Sequence, residues 1–286
     1  MTKGFFTIAQ GEEYVRFAYA MALSLKISQK ENSNLSIGIT PGHKVKDKYK
    51  SVFDQIVEIP WGDAAAGSSW KLENEWKAIY MTPYDETIKL DADMLFPSDI
   101  SHWWDMLGES KIAFATEVST YRNELVESDY YRKVFTKNNL PNVYSAFMYF
   151  KKCDESFEFF KLVELIYNNW ESFFFEFLEP EERPNYVSTD VVFAIAAKIL
   201  NIEELFKYRH IKQFPTFVHM KTQLQKWSSS DSNRIPEEWN KAVHPFFDLD
   251  CNLMIGNYRQ TLPFHYHLKD FVTDEMITIM ERKLGL

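Results

Sequence analysis

The chain has 286 residues, of which 45% are hydrophobic and 16% aromatic. This composition indicates a folded globular protein and excludes an intrinsically disordered one, and the length suits one large domain or one domain with an appendage. The formal net charge of −9 argues against a strong general attraction to nucleic acid or anionic lipid, although a local basic groove stays open.

No targeting or membrane signal stands out in the sequence. There is no 18-residue apolar run, and residues 1–14 lack the long apolar stretch of a signal peptide. We therefore expect a cytoplasmic protein without membrane contact. Cys153 and Cys251 lie far apart, without the spacing of metal ligands, and we expect both to be reduced structural thiols.

Strand-like apolar runs alternate with helical patterns along the chain. The predicted strands are 4–10, 34–40, 55–61, a run from residue 86 that Pro97 closes, 111–118, 142–152 and 216–221. The predicted helices are 12–28, 68–82, one starting at 99, 155–178 and 188–201. This alternation predicts an α/β fold in which a mainly parallel central sheet is flanked by helices and binds ligands at the carboxyl ends of its strands. We expect a boundary near residue 228, between a main domain, 1–227, and a C-terminal extension, 228–286, packed on it.

The run from residue 86 ends on Asp91 and Asp93. Side chains at i and i+2 of an extended chain point the same way, so these two carboxylates should converge and repel each other. A bound cation or hydration of both groups would offset this repulsion. With 16 aspartates in the chain, about one Asp-x-Asp is expected by chance. A second pair, Asp248 and Asp250, serves as an internal control that we interpret as a solvated turn.

Glycine-rich phosphate loops are absent from the sequence. No G-x-G-x-x-G follows the first predicted strand, and no G-x-x-x-x-G-K-[ST] occurs, which argues against a dinucleotide oxidoreductase and a P-loop enzyme. A divalent cation bound by two carboxylates would neutralise a diphosphate instead.

Two segments within the first 95 residues share a family pattern. "FFTIAQGEEYVRFAYAMALSLK" (5–26) and "WKLENEWKAIYMTPYDETIKLDADML" (70–95) resemble the GT-A glycosyltransferases, most of all the branch that includes glycogenin and the bacterial galactosyltransferases. Tyr14 could stack on a donor base or lie on the surface of an amphipathic helix. The other matching residues are Thr7, Ala9, Ser24, Leu25, the Lys71–Leu72 pair and the D-A-D motif.

The resemblance implies a GT-A type nucleotide-diphospho-sugar transferase fold and a nucleoside-diphosphate sugar as donor, with uridine as the expected base. Asp91 and Asp93 would bind Mn²⁺ or Mg²⁺, and the metal ion would bind the donor diphosphate. Thr7, Ala9 and Lys71 are expected beside the donor.

The second half of the chain matches the family less closely. "VSTDVVFA" (187–194) is similar to its D-Q-x-x-x-N segment through Asp190 alone, which is either a catalytic carboxylate facing the sugar or a favourable charge at a helix start. "FVHMKTQLQKW" (217–227) resembles its H-x-x-G-x-x-K-P-W segment through His219, Lys226 and Trp227.

His219 would be a third metal ligand, or a hydrogen-bonded histidine at a strand end. Lys221 and Lys226 could reach a phosphate, or be ordinary solvated lysines, and Trp227 is expected near the donor. His265 and His267 alternate in a strand-like stretch and could bind metal, but no acidic partner is evident in the sequence, and we favour acceptor contact or packing.

The overall sequence pattern also resembles that of phage-encoded sugar transferases. This resemblance makes a hydroxymethylated DNA base one candidate acceptor, and a glycan or small molecule is the other. Two alternatives stay open: a non-catalytic sugar-nucleotide-binding or scaffold protein, and a D-x-D phosphatase, although the latter wants Thr or Val where this chain has Leu95. A sugar nucleotidyltransferase needs a Gly-rich, Arg-containing first loop, which "IAQGEEY" is not.

Overall fold

The computed structural model describes residues 1–68, 71–126, 132–202, 214–220, 245–248, 250–266 and 268–286. The strands are β1 (Lys3–Ala9), β2 (Leu35–Ile39), β3 (Ile56–Glu58), β4 (Glu86–Leu90), β5 (Met94–Leu95), β6 (Ile112–Ala115), β7 (Tyr144–Lys151), β8 (Val218–His219), β9 (Pro245–Phe247), β10 (Leu253–Ile255), β11 (Tyr258–Arg259) and β12 (Phe264–His265). The helices are α1 (Glu12–Ser28), α2 (Asp47–Lys50), α3 (Ala78–Met81), α4 (Trp103–Leu107), α5 (Lys133–Lys137), α6 (Asp154–Asn168), α7 (Trp170–Phe177), α8 (Thr189–Leu200) and α9 (Asp274–Leu284), with 3₁₀ turns at Glu75–Lys77 and Pro180–Glu182.

A six-stranded sheet in the order β3-β2-β1-β4-β7-β6 forms the centre of the molecule. Strands β3, β2, β1 and β4 pair in parallel, whereas β7 is antiparallel to both of its neighbours. Helices cover both faces, because the side chains of β1 alternate between two apolar clusters. Phe5 packs in the cluster that contains α1, and Phe6 packs in the cluster that contains α6 and α8. The predicted mixed α/β architecture, a mainly parallel sheet flanked by helices, is confirmed.

A smaller sheet joins the C-terminal segment to the end of β4. Strand β12 lies between β5 and β8, antiparallel to β5 and parallel to β8. Helix α9 packs on α1, and β9, β10 and β11 form a third, antiparallel sheet. The predicted domain boundary at residues 227 and 228 falls outside the described residues. Within the described part of the chain, no helix is both long enough and apolar enough to cross a bilayer.

Three of the predicted helices differ in the structure. The helix predicted to start at residue 99 begins at Trp103. Among the described residues of the segment predicted as helix 68–82, only Glu75–Met81 are helical, as a 3₁₀ turn followed by the short α3. The segment predicted as one helix, 155–178, is two, because the backbone turns away at Asn169 (φ −135°) between α6 and α7. Helix α1, in contrast, spans the predicted residues 12–28.

Asp63 explains the missing helical turns before Glu75. Its carboxylate accepts hydrogen bonds from Gln10 after β1 (2.6 Å), Thr40 after β2 (2.7 Å) and Asn74 (2.7 Å). Burial acts to raise the pKa of Asp63, but these hydrogen bonds outweigh burial and hold the pKa below its usual value. The carboxylate thereby connects the loop after β3 to the carboxyl ends of β1 and β2. Asn74 hydrogen-bonds to this carboxylate and lies outside the helical turns.

We expect Asp63→Asn to lower the free energy of unfolding by about 1–2 kcal/mol at neutral pH, allowing for its partial exposure, because an amide cannot accept all of these bonds. A group with a lowered folded-state pKa stabilises fully above its unfolded pKa, about 3.8, and that contribution is lost as the pH falls through the folded-state pKa. Denaturant unfolding should therefore show a difference between Asp63→Asn and wild type that shrinks below about pH 3.8. The control Asp47→Asn, at an exposed pair with Lys50, should change stability much less at any pH, because solvent screens an exposed ion pair. A loss at Asp63 that does not change with pH would contradict this role.

Candidate metal centre

The two aspartates lie just beyond the carboxyl end of β4, in the middle of the central sheet. The Asp91 N–H donates to the Ala146 carbonyl on β7 (3.1 Å), and the Asp93 carbonyl accepts from the Tyr266 N–H (3.1 Å). Ala92 and Asp93 form a turn between β4 and β5. The expectation of extended backbone through D-A-D is therefore wrong, and the two carboxylates are brought together by a turn fixed at both ends.

A histidine from the far end of the chain completes the group. His265 Nε2 lies 3.1 Å from Asp93 Oδ1 and 3.8 Å from Asp91 Oδ2. One ligand atom from each of the three side chains falls within 4.8 Å of the others. Asp91 is the most exposed of the three, at 33% of its side chain, compared with 10% for His265, so the group opens to solvent on the Asp91 side. Two carboxylates and one imidazole form a donor set suited to a divalent cation such as Mn²⁺.

The pairing of the small sheet places His265 at this position. Strand β5 starts at Met94, directly after Asp93, and His265 of β12 is the register partner of Met94. No acidic partner for His265 is evident in the sequence, and the contact with Asp93 corrects that expectation. His219 is the parallel register partner of His265 on β8, one strand further from β5. Its ring centroid lies 5.2 Å from that of His265, so His219 borders the group, and its role as a ligand stays a prediction.

A buried lysine supports the aspartate pair from inside the sheet. Lys89 on β4 has 2% of its side chain exposed and forms ion pairs with Glu75 and with Asp91, the latter at 3.2 Å. Burial acts to lower the pKa of Lys89, but Glu75 and Asp91 outweigh burial and raise the pKa above its usual value. Burial also raises the pKa of Glu75, against the attraction of Lys89. A fixed positive charge therefore lies behind Asp91 and offsets the repulsion between the two aspartates.

A chain of polar contacts continues from Lys89 to Asp190. The Lys89 ammonium donates to the Ser145 carbonyl (3.4 Å), and both the N–H and the hydroxyl of Ser145 donate to Asp190 Oδ1 (2.9 and 2.6 Å). The other oxygen of Asp190 pairs with Arg132 at 2.5 Å. Burial acts to raise the pKa of Asp190, but Arg132 and Ser145 outweigh it and hold the pKa low. Asp190 lies in the first turn of α8 as an ionised carboxylate, and a catalytic role for it stays a prediction.

Among the other predicted donor residues that the structure describes, two lie on β1, the strand next to β4. Thr7 and Ala9 are fully buried in β1. Tyr14 on α1 packs edge-on against Phe17, and the pKa of its hydroxyl is raised first by burial and then by Asp93. Tyr14 is therefore the predicted donor residue for which the structure shows an electrostatic link to the aspartate pair.

Lys71 has a contact of its own within the loop. Its ammonium donates to the carbonyls of Ala65 and Ala66 (2.8 and 2.9 Å), and its backbone adopts a positive φ of 57°. These bonds close the loop after β3, and contact with a donor stays a prediction. Lys221, Lys226 and Trp227 lie outside the described residues, as does His267.

The control pair behaves as the sequence predicted. Asp248 accepts hydrogen bonds from the backbone N–H groups of Asp250 (2.9 Å) and Asn252 (2.8 Å), which makes it the organising residue of a turn. The two Asp-x-Asp motifs therefore differ in their structural context. Asp91 and Asp93 lie beside a histidine at the edge of the sheet, whereas Asp248 and Asp250 lie in a turn.

The sequence analysis does not single out Lys89 or Glu75, and it favours a role other than metal ligand for His265. Lys89 carries a signal, because it stands two residues before Asp91 in a strand predicted to be buried, and a lysine in that position needs a buried partner. Neither the identity of that partner, Glu75, nor the approach of His265 can be inferred from spacing, because both depend on tertiary contacts.

No family model and no curated protein matches the sequence. Solved structures with a similar overall arrangement include mouse xyloside xylosyltransferase 1 in its apo form, at 12% identity over 72% of this chain and 85% of that one, with a TM-score of 0.46. An active-site mutant of LgtC is 11% identical over 99% and 96% of the two chains, with a TM-score of 0.49. The galactosyltransferase LgtC in complex with donor and acceptor sugar analogs is 13% identical over 67% and 70%, with a TM-score of 0.43. These likenesses concern chain architecture, and at such values neither donor nor acceptor is assigned from them.

The buried pair generates a double-mutant prediction. Lys89→Met should lower the free energy of unfolding by about 3–5 kcal/mol, because it leaves Glu75 buried without its partner. Glu75→Leu should cost less, because Asp91 still faces the ammonium. The double variant should be more stable than Lys89→Met alone, since an apolar pair replaces the ions. Denaturant unfolding of the four proteins measures the coupling, and additive losses would rule out a dependence of one residue on the other.

Substitutions of the two neighbouring histidines, His265 and His219, provide a matched comparison of metal affinity. His265→Ala should weaken Mn²⁺ affinity by roughly ten- to a hundredfold or more, given that even the loss of residues supporting a ligand has effects of this size. His219→Ala should change the affinity much less, because its ring lies one strand further from Asp93. Calorimetric Mn²⁺ titration of both variants provides the comparison. The opposite order would restore His219 as the ligand and remove His265.

Proposed function

We propose that the protein is a metal-dependent glycosyltransferase that uses a nucleoside-diphosphate sugar as donor. The observation that carries the proposal is the convergence of Asp91, Asp93 and His265 at the carboxyl end of β4, the edge at which open α/β sheets bind their ligands. The sequence resemblance of the first 95 residues to GT-A enzymes supports the same reaction. In this proposal the donor base is uridine, as the resemblance implies.

Asp91, Asp93 and His265 would hold the cation. A nitrogen ligand beside two carboxylates favours Mn²⁺ over Mg²⁺, which prefers oxygen ligands alone. When bound, the ion supplies positive charge that stabilises the departing diphosphate.

The residues around the aspartates have separate roles in this proposal. Lys89 is too buried to reach a donor, so it acts by fixing the position of Asp91 and by offsetting its repulsion with Asp93. Tyr14, near Asp93, is positioned to face the base or the diphosphate. Asp190 is ionised and aligned by Ser145, and it is our candidate for the carboxylate that faces the sugar. The cations that would contact phosphate directly are those predicted from the sequence, Lys221 and Lys226.

The acceptor in our proposal is a hydroxyl of a glycan or small molecule. The other candidate from the sequence is a hydroxymethylated DNA base. The net charge of −9 disfavours a polyanionic acceptor, because a phosphate backbone is held chiefly by lysines and arginines.

The proposal predicts slow, Mn²⁺-dependent hydrolysis of one or more nucleoside-diphosphate sugars in the absence of acceptor. Asp93→Ala should abolish this activity while the protein stays folded, because relief of the repulsion between the two carboxylates offsets the loss of the Asp93 contact with His265. Chromatography of the released nucleotide over a panel of donors, with and without a chelator, measures it. Asp248→Ala is the matched control and should retain full activity.

Different results point to the alternatives. Equal losses from Asp93→Ala and Asp248→Ala, or activity that survives the chelator, would contradict the assigned site. Release of inorganic phosphate from a phosphomonoester, sensitive to Asp91→Asn, would indicate the D-x-D phosphatase. Metal-dependent nucleotide binding without turnover of any donor would indicate a non-catalytic binding protein.

A further inference from the structure

An aromatic groove opens on the side of the sheet covered by α6 and α8, apart from the three metal-ligand candidates. It has a cavity volume of 720 Å³, within the range of about 300–1,000 Å³ typical of small-molecule sites. The segment after β3, the 3₁₀ turn with α3, and the α6–α7 junction form its walls. The aromatic side chains that line it include Trp61, Trp76, Tyr80 and Trp170.

Three of these aromatic rings form one continuous surface. Trp61 and Trp76 are stacked, with ring centroids 5.8 Å apart and planes 6° from parallel, and Tyr80 meets Trp61 edge-on at 5.2 Å. Trp61 is 70% exposed and Tyr80 37%. Exposing an indole to water to this extent is unfavourable in free energy. Contiguous exposed apolar surface of this kind marks an interaction site.

The backbone holds Trp61 in this exposed position. Trp61 has a positive φ of 58°, a conformation that is rare for a bulky residue and that persists where the surrounding structure enforces it. The next carbonyl, that of Gly62, accepts a hydrogen bond from the buried Lys77 ammonium at 2.6 Å. The exposure of the indole is therefore built into the loop.

Hydrogen-bond acceptors lie beside the aromatic rings. Glu73 and Glu164 both line the groove, and Oε2 of Glu73 is shielded from solvent without a hydrogen-bond partner among the described residues. Carboxylates that line a groove can accept hydrogen bonds from the hydroxyl groups of a ligand. The lysine at the groove, Lys77, is 2% exposed and donates to the Gly62 carbonyl, so Glu73 and Glu164 are the more accessible charged groups of the groove.

We propose that this groove binds a neutral saccharide. A sugar ring combines an apolar C–H face, which packs on an indole, with hydroxyl groups at its rim, which donate to carboxylates. Trp61 and Trp76 provide the stacking face, and Glu73 and Glu164 provide the acceptors. The same two carboxylates repel glycans that carry uronate or sulfate groups, which makes the site selective for uncharged ones.

The groove and the metal-ligand candidates share one short segment. Trp76 lines the groove, while its neighbour Glu75 pairs with Lys89 behind Asp91. A saccharide held in the groove would contact the segment that supports the aspartate pair. The binding itself does not rest on the proposed function, and it is tested without donor or metal.

The experiment uses the full chain in the presence of a chelator on an array of neutral and anionic glycans, followed by calorimetry with the best neutral oligosaccharide. Wild type should bind at least one neutral glycan and prefer it to sulfated or uronate-containing ones. Trp61→Ala should weaken binding on the order of thirtyfold, as expected for a central aromatic contact. Phe175→Ala removes a ring of matched exposure, 68%, outside the groove and should leave affinity unchanged.

Glu73→Gln provides a second variant that keeps the shape of the groove and should weaken binding several-fold, so the test holds even if Trp61→Ala fails to fold. The proposal is overturned if folded wild type binds no glycan on the array, or if Phe175→Ala weakens binding as much as Trp61→Ala. It is also overturned if sedimentation shows self-association that Trp61→Ala abolishes, because the aromatic surface would then be covered by a second copy of the chain. Because neither donor nor metal is present, failure here leaves the proposed transferase activity untouched.

Discussion

The ion pairs of Lys89 are the interaction on which the candidate site depends. Two carboxylates that converge beyond the end of a buried strand repel each other, and the metal-free protein must tolerate that repulsion. Lys89 contacts Asp91 directly and is itself compensated by Glu75. The buried charges are costly to desolvate, so this arrangement is better explained as a means of positioning Asp91 than as a source of overall stability.

The same lysine connects the aspartates to the rest of the fold. Through the carbonyl of Ser145 it touches β7, and Ser145 in turn holds Asp190 at the start of α8. Because Glu75 belongs to the segment after β3, whose path is fixed by Asp63, elements on both sides of β4 converge on one ammonium group. The geometry of the aspartates is thus set by secondary structure elements, and this rigidity suits a metal site that must be organised before its ligand arrives.

The sequence predicts those parts of the fold that depend on local pattern. Helix α1 and the strands flanking it follow from apolar periodicity, because their apolar faces pack on the sheet. The helix predicted for residues 68–82 is not fully formed, because the Asn74 side chain donates a hydrogen bond to Asp63. His265 could not be assigned, because its contact with Asp93, 172 positions away in the sequence, depends on the pairing of β12 with β5. Lys89 could have been identified from the sequence, because it is a lysine in a strand predicted to be buried.

Asp91, Asp93 and His265 together are our candidate site for one divalent cation. Anomalous diffraction from crystals soaked in Mn²⁺, collected at the manganese absorption edge, tests this without assuming a donor, an acceptor or a reaction. We predict a single strong peak between the two carboxylates and the His265 imidazole, lost in Asp93→Ala crystals. A peak coordinated by His219 in place of His265, or no peak at this end of β4, would contradict the account.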